Sequence, residues 1–132
     1  MYLVNFGRLV NAATKLAITN LAITNGSAIT SQSVKIDKNV GFLVLLVTEN
    51  RAGGMGDVDI YAEYSDDNVT FYRPYISDLA GTITVEGNIV TALQNVSRRI
   101  HFTARMAKYV RFVFDPDADS TITADLSFQE EN

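Results

Sequence analysis

The sequence predicts an all-β protein, an antiparallel β-sandwich with an N-terminal arm. Three observations support this reading. Apolar and polar residues alternate with a period of two in several segments, which sets one face of each against a core and the other toward water. Turn-forming clusters recur along the chain, at Gly53-Gly54-Met55-Gly56, Ser65-Asp66-Asp67-Asn68, Ala80-Gly81, Glu86-Gly87-Asn88 and Asp115-Pro116-Asp117-Ala118-Asp119. No long amphipathic helix is available to cover a single sheet, so two sheets must cover each other.

The composition changes near residue 34. Residues 1–33 read as an N-terminal arm or edge segment, and residues 34–132 as the sandwich domain. The first part is rich in Asn, Thr, Ala and Ser, with Tyr2, Leu3, Val4, Phe6, Leu9 and Val10 mixed in. That is too apolar for a solvated tail, and the segment needs a surface to lie on, either a neighbouring subunit or the sandwich itself. It also holds a tandem echo, Leu16-Ala17-Ile18-Thr19-Asn20 followed by Leu21-Ala22-Ile23-Thr24-Asn25. Two five-residue copies are too short to stack as a solenoid. The echo is therefore a coincidence or a pair of short extended segments.

Strands are expected near residues 34–36, 40–48, 58–65, 70–72, 82–85, 89–92, 100–103, 109–114 and 121–128. In the third, Val58, Ile60, Ala62 and Tyr64 share a face opposite Asp59, Tyr61 and Glu63. Val110, Phe112 and Phe114 oppose Tyr109, Arg111 and Val113, and Ile122, Ala124, Leu126 and Phe128 form the inward set of the final segment. Clean alternation of this kind belongs to antiparallel sheets, each with one wet face. The expected arrangement is a sandwich of jelly-roll type.

The chain of 132 residues fits one domain, long enough to remove roughly two-thirds of its unfolded surface from water. Hydrophobic residues at 47% and charged residues at 20% argue against wholesale disorder. The formal charge of -4 is spread without a basic block, so nucleic acid is not an expected partner. The longest apolar run, Val40 to Val47, is far short of the ~18 residues of a membrane-spanning helix and reads as a core strand; no membrane partner is expected. The first residues lack the charged start and continuous apolar centre of a signal peptide. With no cysteine, there is neither a disulfide framework nor a thiolate site.

Residues capable of chemistry read mostly as structural. His101 is the single histidine and alternates with Ile100 and Phe102, which puts it on the wet face of a strand, remote from any nucleophile motif. Asp115, Asp117 and Asp119 imitate the start of a calcium loop, but the sixth and twelfth positions are Ser120 and Leu126 where Gly and Glu are required. The cluster is a turn. Gly53-Gly54-Met55-Gly56 lacks the lysine and hydroxyl of a phosphate loop and reads as a mobile hairpin tip or a partner-contacting loop. Arg98, Arg99, Arg105, Lys108 and Arg111 are expected to pair with acidic faces of neighbouring strands or subunits. No catalytic residue, metal ligand or cofactor site emerges, and the expectation is a protein that binds rather than an enzyme.

Two motifs go beyond generic patterning. The stretch Ile60 to Phe71, with Tyr64-Ser65-Asp66-Asp67-Asn68 at its centre, resembles a hairpin of discoidin-like, galactose-binding-like sandwiches. The stretch Ala104 to Phe112, with Ala107-Lys108-Tyr109-Val110-Arg111, resembles the arginine strand of the same domains. This chain departs from the secreted members in lacking cysteine and tryptophan, and no ligand residue carries over. The chain as a whole resembles the small acidic structural proteins of tailed phages, which implies a head decoration (cement) protein or a related virion accessory protein of the head or tail. That resemblance implies a virion structural protein made in the host cytoplasm and carried on the capsid surface. Its partners would be the major capsid protein and further copies of itself, with a trimer favoured. Candidate partner-binding residues are Tyr2, Phe6 and Leu9 in the arm, Met55 in the glycine loop, and Tyr72 and Tyr75. The alternative is a carbohydrate-binding module of a phage head or tail appendage. There Tyr61, Tyr72 and Tyr75 would stack on glycans, with Tyr72-Arg73-Pro74-Tyr75 as the patch.

Overall fold

The structure is a computed structural model that describes residues 13–39, 41–50, 57–77, 83–85, 88–91, 97–102 and 107–130. Among these the strands are β1 (Ala13–Ile23), β2 (Ile29–Thr30), β3 (Val34–Lys35), β4 (Leu43–Asn50), β5 (Asp57–Ser65), β6 (Tyr75–Ser77), β7 (Ile83–Val85), β8 (Asn88–Thr91), β9 (Ser97–Phe102), β10 (Tyr109–Pro116) and β11 (Ser120–Phe128). One sheet runs β1-β11-β4-β9 and the other β2-β10-β5-β8, with β3 also on β10; β6 and β7 form a separate hairpin. Every pairing is antiparallel. With β2 and β3 taken as one interrupted strand, the chain crosses repeatedly between sheets and lays its first strand beside its last. This is the double Greek-key order of a jelly roll.

Alternation decides which side of each strand is buried. Val58, Ile60, Ala62 and Tyr64 of β5 and Val110, Phe112 and Phe114 of β10 turn inward from one sheet. Leu43, Leu45 and Val47 of β4, Ile100 and Phe102 of β9, and the even-numbered residues 122–128 of β11 meet them from the other. All belong to one cluster, in which the Phe102 and Phe112 rings touch across the sheets at 5.2 Å. Each fully buried side chain of this size contributes about 1.5–3 kcal/mol. Val113 departs from the expected alternation. It is only 4% exposed although it lies on the outer side of β10, opposite Tyr61, and it stands apart from the central cluster.

The tandem echo has a structural meaning. The first copy and the Leu21-Ala22-Ile23 part of the second lie in β1, where Leu16, Ile18, Leu21 and Ile23 pack on the core. A five-residue repeat is odd, and in a regular strand it would turn the second copy outward. One extra β1 residue between Ile18 and Leu21 restores the phase, and a second irregularity falls between Thr14 and Leu16. Asn20 occupies the first bulge with φ of +49°, a left-handed conformation that asparagine tolerates better than most residues, and its N–H donates to Thr123 Oγ1 at 3.2 Å. After β1 the chain reverses through Thr24-Asn25-Gly26-Ser27. Gly26 has the positive φ, +75°, that a type II turn asks of its third residue. Residues 13–30, from the segment expected as an arm or edge segment, thus supply the edge strand of one sheet and a short strand of the other.

The expected strand at 70–72 is reduced to a single bridge between Tyr72 and Tyr64, and the next strand begins at Tyr75. The preceding turn already uses the hydrogen-bonding groups of residues 65–70, leaving little backbone free for a ladder.

Candidate functional site

The Ser65-Asp66-Asp67-Asn68 motif that ends β5 builds a rigid projecting turn. Ser65 is fully buried, and its Oγ accepts the N–H of Asn68 at 2.9 Å while its own hydroxyl donates to Asp67 Oδ1 at 2.9 Å. That same carboxylate oxygen accepts the N–H groups of Val69 and Thr70, each at 2.9 Å. Hydrogen bonds from Thr70 and Val69, and then from Ser65, hold the Asp67 carboxyl below the usual carboxylate range. Asn68 completes the reversal at φ of +61°. The turn is tied down behind by Lys108 N–H donating to Ser65 O and by the two-way Tyr64–Tyr72 backbone pair. Two apolar side chains are left facing water, Val69 at 79% exposure and Tyr72 at 50%.

Beyond the turn the chain folds onto the outer face of the β10–β5 pair. The Arg73 guanidinium lies 3.7 Å from the Tyr61 ring centroid and 3.9 Å from Asp59. Arg111 Nε donates to Glu63 at 2.8 Å while its guanidinium stands 4.1 Å from the Phe71 ring. Partial burial, with Glu63 close by, pushes the Tyr61 phenol above its ordinary pKa against the opposing effect of Arg73. These two arginine–aromatic stacks clamp residues 71–73 to the sheet. Arg111 thus pairs with the acidic face of the neighbouring strand, as its place in an alternating segment suggests.

Of the expected aromatic patch, the side chain of Tyr75 lies outside what the structure describes. Tyr72 is exposed, but Arg73 covers a face of Tyr61, Pro74 is buried, and Tyr75 opens β6 opposite Val85. Tyr61 is accordingly withdrawn as a free stacking surface. Tyr2, Phe6, Leu9 and Met55 lie outside the described residues, as does the whole glycine cluster. Asp119 accepts the Asn25 N–H at 2.8 Å, which gives it a turn-capping task. Among the described residues no three metal-ligating side chains gather.

His101 is on the wet face of β9, as its alternation predicts, but it is not isolated. Its ring meets the Phe42 ring at 5.8 Å with a tilt of 30°. Together with Gly41, Val44, Arg99, Ser127, Phe128 and Gln129 they line an open cleft of about 550 Å³ on the outer face of the β1-β11-β4-β9 sheet. Sequence reasoning missed this cleft, although a signal was present. With Leu43, Leu45 and Val47 inward, Phe42, Val44 and Leu46 must turn outward, and Phe42 is 60% exposed.

No protein-family model matches the chain, and a search of curated proteins finds no relative of it.

Proposed function

We propose that the chain is a non-enzymatic decoration protein of a virion, which binds the capsid lattice and bridges adjacent capsid subunits as a homo-oligomer, with a trimer favoured. The observation that carries this reading is the locked turn from Ser65 to Tyr72. Val69 and Tyr72 stand out on backbone whose amides are already satisfied, so docking them against another protein costs little ordering entropy while it removes apolar surface from water. Such preorganised apolar projections are what a binding surface needs. An oligomer that presents several copies at once turns modest individual contacts into tight attachment through effective concentration.

The test uses purified particles of the phage that encodes the chain. Mass spectrometry should find it in stoichiometric amounts, and electron microscopy should place it over contacts between capsid subunits. Purified protein should bind empty capsids saturably, and Val69→Asp should weaken the affinity at least about tenfold, a loss of roughly 1.4 kcal/mol. Absence from the particles, or unaltered binding by the variant, would refute the reading.

A further inference from the structure

We infer that the cleft around Phe42, Arg99 and His101 binds a carboxylate-bearing pyranose, an acidic sugar. It lies on the sheet opposite the one that carries the Ser65 turn, and it does not depend on the capsid reading. Register fixes its floor. His101, Val44 and Ser127 form one cross-strand row over β9, β4 and β11, and Arg99, Leu46 and Asp125 form the next, two residues or roughly 7 Å along. These positions sit in three paired strands, so the groups keep their spacing without needing to be ordered by a ligand.

Each wall supplies one element of the recognition. The exposed Phe42 ring, backed by His101, offers an apolar face to which the C–H face of a pyranose can stack. Arg99 makes no ion pair among the described residues and lines this cleft on a chain whose formal charge is -4. A guanidinium suits a carboxylate because two parallel N–H groups match its two oxygens. The acid in the same row, Asp125, is two strands away, on the order of 10 Å, which leaves the guanidinium open to an external partner. Ser127 lies on the far side of Val44, placed to meet sugar hydroxyls. A volume of about 550 Å³ exceeds that of one sugar ring and falls within the range of small-molecule sites.

Because His101 is the single histidine, its ring signals report on the cleft without ambiguity. Proton NMR at constant pH should show them shifting saturably with methyl glucuronide. The apparent affinity should exceed that for methyl glucoside, acetate and benzoate at least tenfold. Arg99→Met and Phe42→Ala should each weaken glucuronide binding about tenfold. Arg98→Met, on a side chain that leaves the same strand in the opposite direction, should stay within twofold. Both test positions are exposed, and amide spectra verify that the variants fold. Four results would overturn the inference: no shift with any probe, acetate as effective as glucuronide, benzoate more effective, or Arg99→Met without effect.

Discussion

Deleting Thr19 and Asn20 together should destabilise the sandwich by about 3–4 kcal/mol, far more than the loss of exposed polar residues normally costs. The figure follows from the phase of β1. Removing Asn20 alone takes out the extra residue and leaves a regular strand with Leu16, Ile18, Leu21 and Ile23 all inward, so it should cost far less. With both residues gone, the strand can keep Leu16 and Ile18 on the core only by turning Leu21 and Ile23 to solvent, with Ala22 brought inward. Ile23 is buried and Leu21 partly so, and at about 1.5–3 kcal/mol for a fully buried side chain the two account for the estimate. Sliding the first half of the strand instead exposes Leu16 and Ile18 at similar cost. Substitution separates phase from conformation. Asn20→Gly should be nearly neutral, whereas Asn20→Val forces a β-branched residue to φ of +49° and should cost about 1–2 kcal/mol. With no tryptophan in the chain, urea unfolding followed by far-UV circular dichroism is the suitable assay. A double deletion with the wild-type midpoint, a deletion of Asn20 alone as damaging as the double, or Asn20→Val indistinguishable from Asn20→Gly would refute the bulge account.

Phe112→Ala removes a fully buried ring in contact with Phe102 and should cost about 3–5 kcal/mol in the same assay; less than about 1 kcal/mol would mean the sheets close over the cavity. The lowered pKa of Asp67 gives stability that is present above the ordinary carboxylate value and lost as pH falls through the folded value. The urea midpoint should therefore drop below about pH 4, and Asp67→Asn should make that acid limb shallower; an identical limb would count against the Ser65 turn as a contributor. A chain beginning at Leu21 loses Leu16 and Ile18 and uncovers the edge of β11, so it should aggregate, whereas one beginning at Ala13 keeps every described strand; size-exclusion chromatography of the two distinguishes an edge strand from a dispensable arm.

Strands with uninterrupted alternation were legible from sequence. The inward sets of β5, β10 and β11 are those expected, and the arginine strand meets its acidic neighbour. β1 was obscured because two bulges break the period on which recognition depends. The apolar run Val40 to Val47 reads only as a core strand, because periodicity is invisible when both faces are apolar, yet Leu46 is 37% exposed and Phe42 more so. The candidate site was legible only in part. Tyr72 is displayed as expected, but no local pattern tells that Arg73 folds back over Tyr61, since that contact depends on where the turn directs the chain. The cleft joins β4, β9 and β11, and long-range pairing of that kind cannot be read from spacing alone.

The pairing of β1 with β11 imposes an order on the protein's birth. Ala13 lies opposite Phe128, so β1 must wait for a partner synthesised after every other strand of its sheet. Until then Leu16, Ile18, Leu21 and Ile23 have no β11 to lie against, and the β1-β11-β4-β9 sheet cannot close, because β11 stands between β1 and β4. Such sequence-distant closure makes folding slow. During this interval the irregular outline of β1 has a protective value. A strand kinked at two places is a poor template for another nascent copy, and the asparagine that sets its phase in the finished sheet also guards it against premature association.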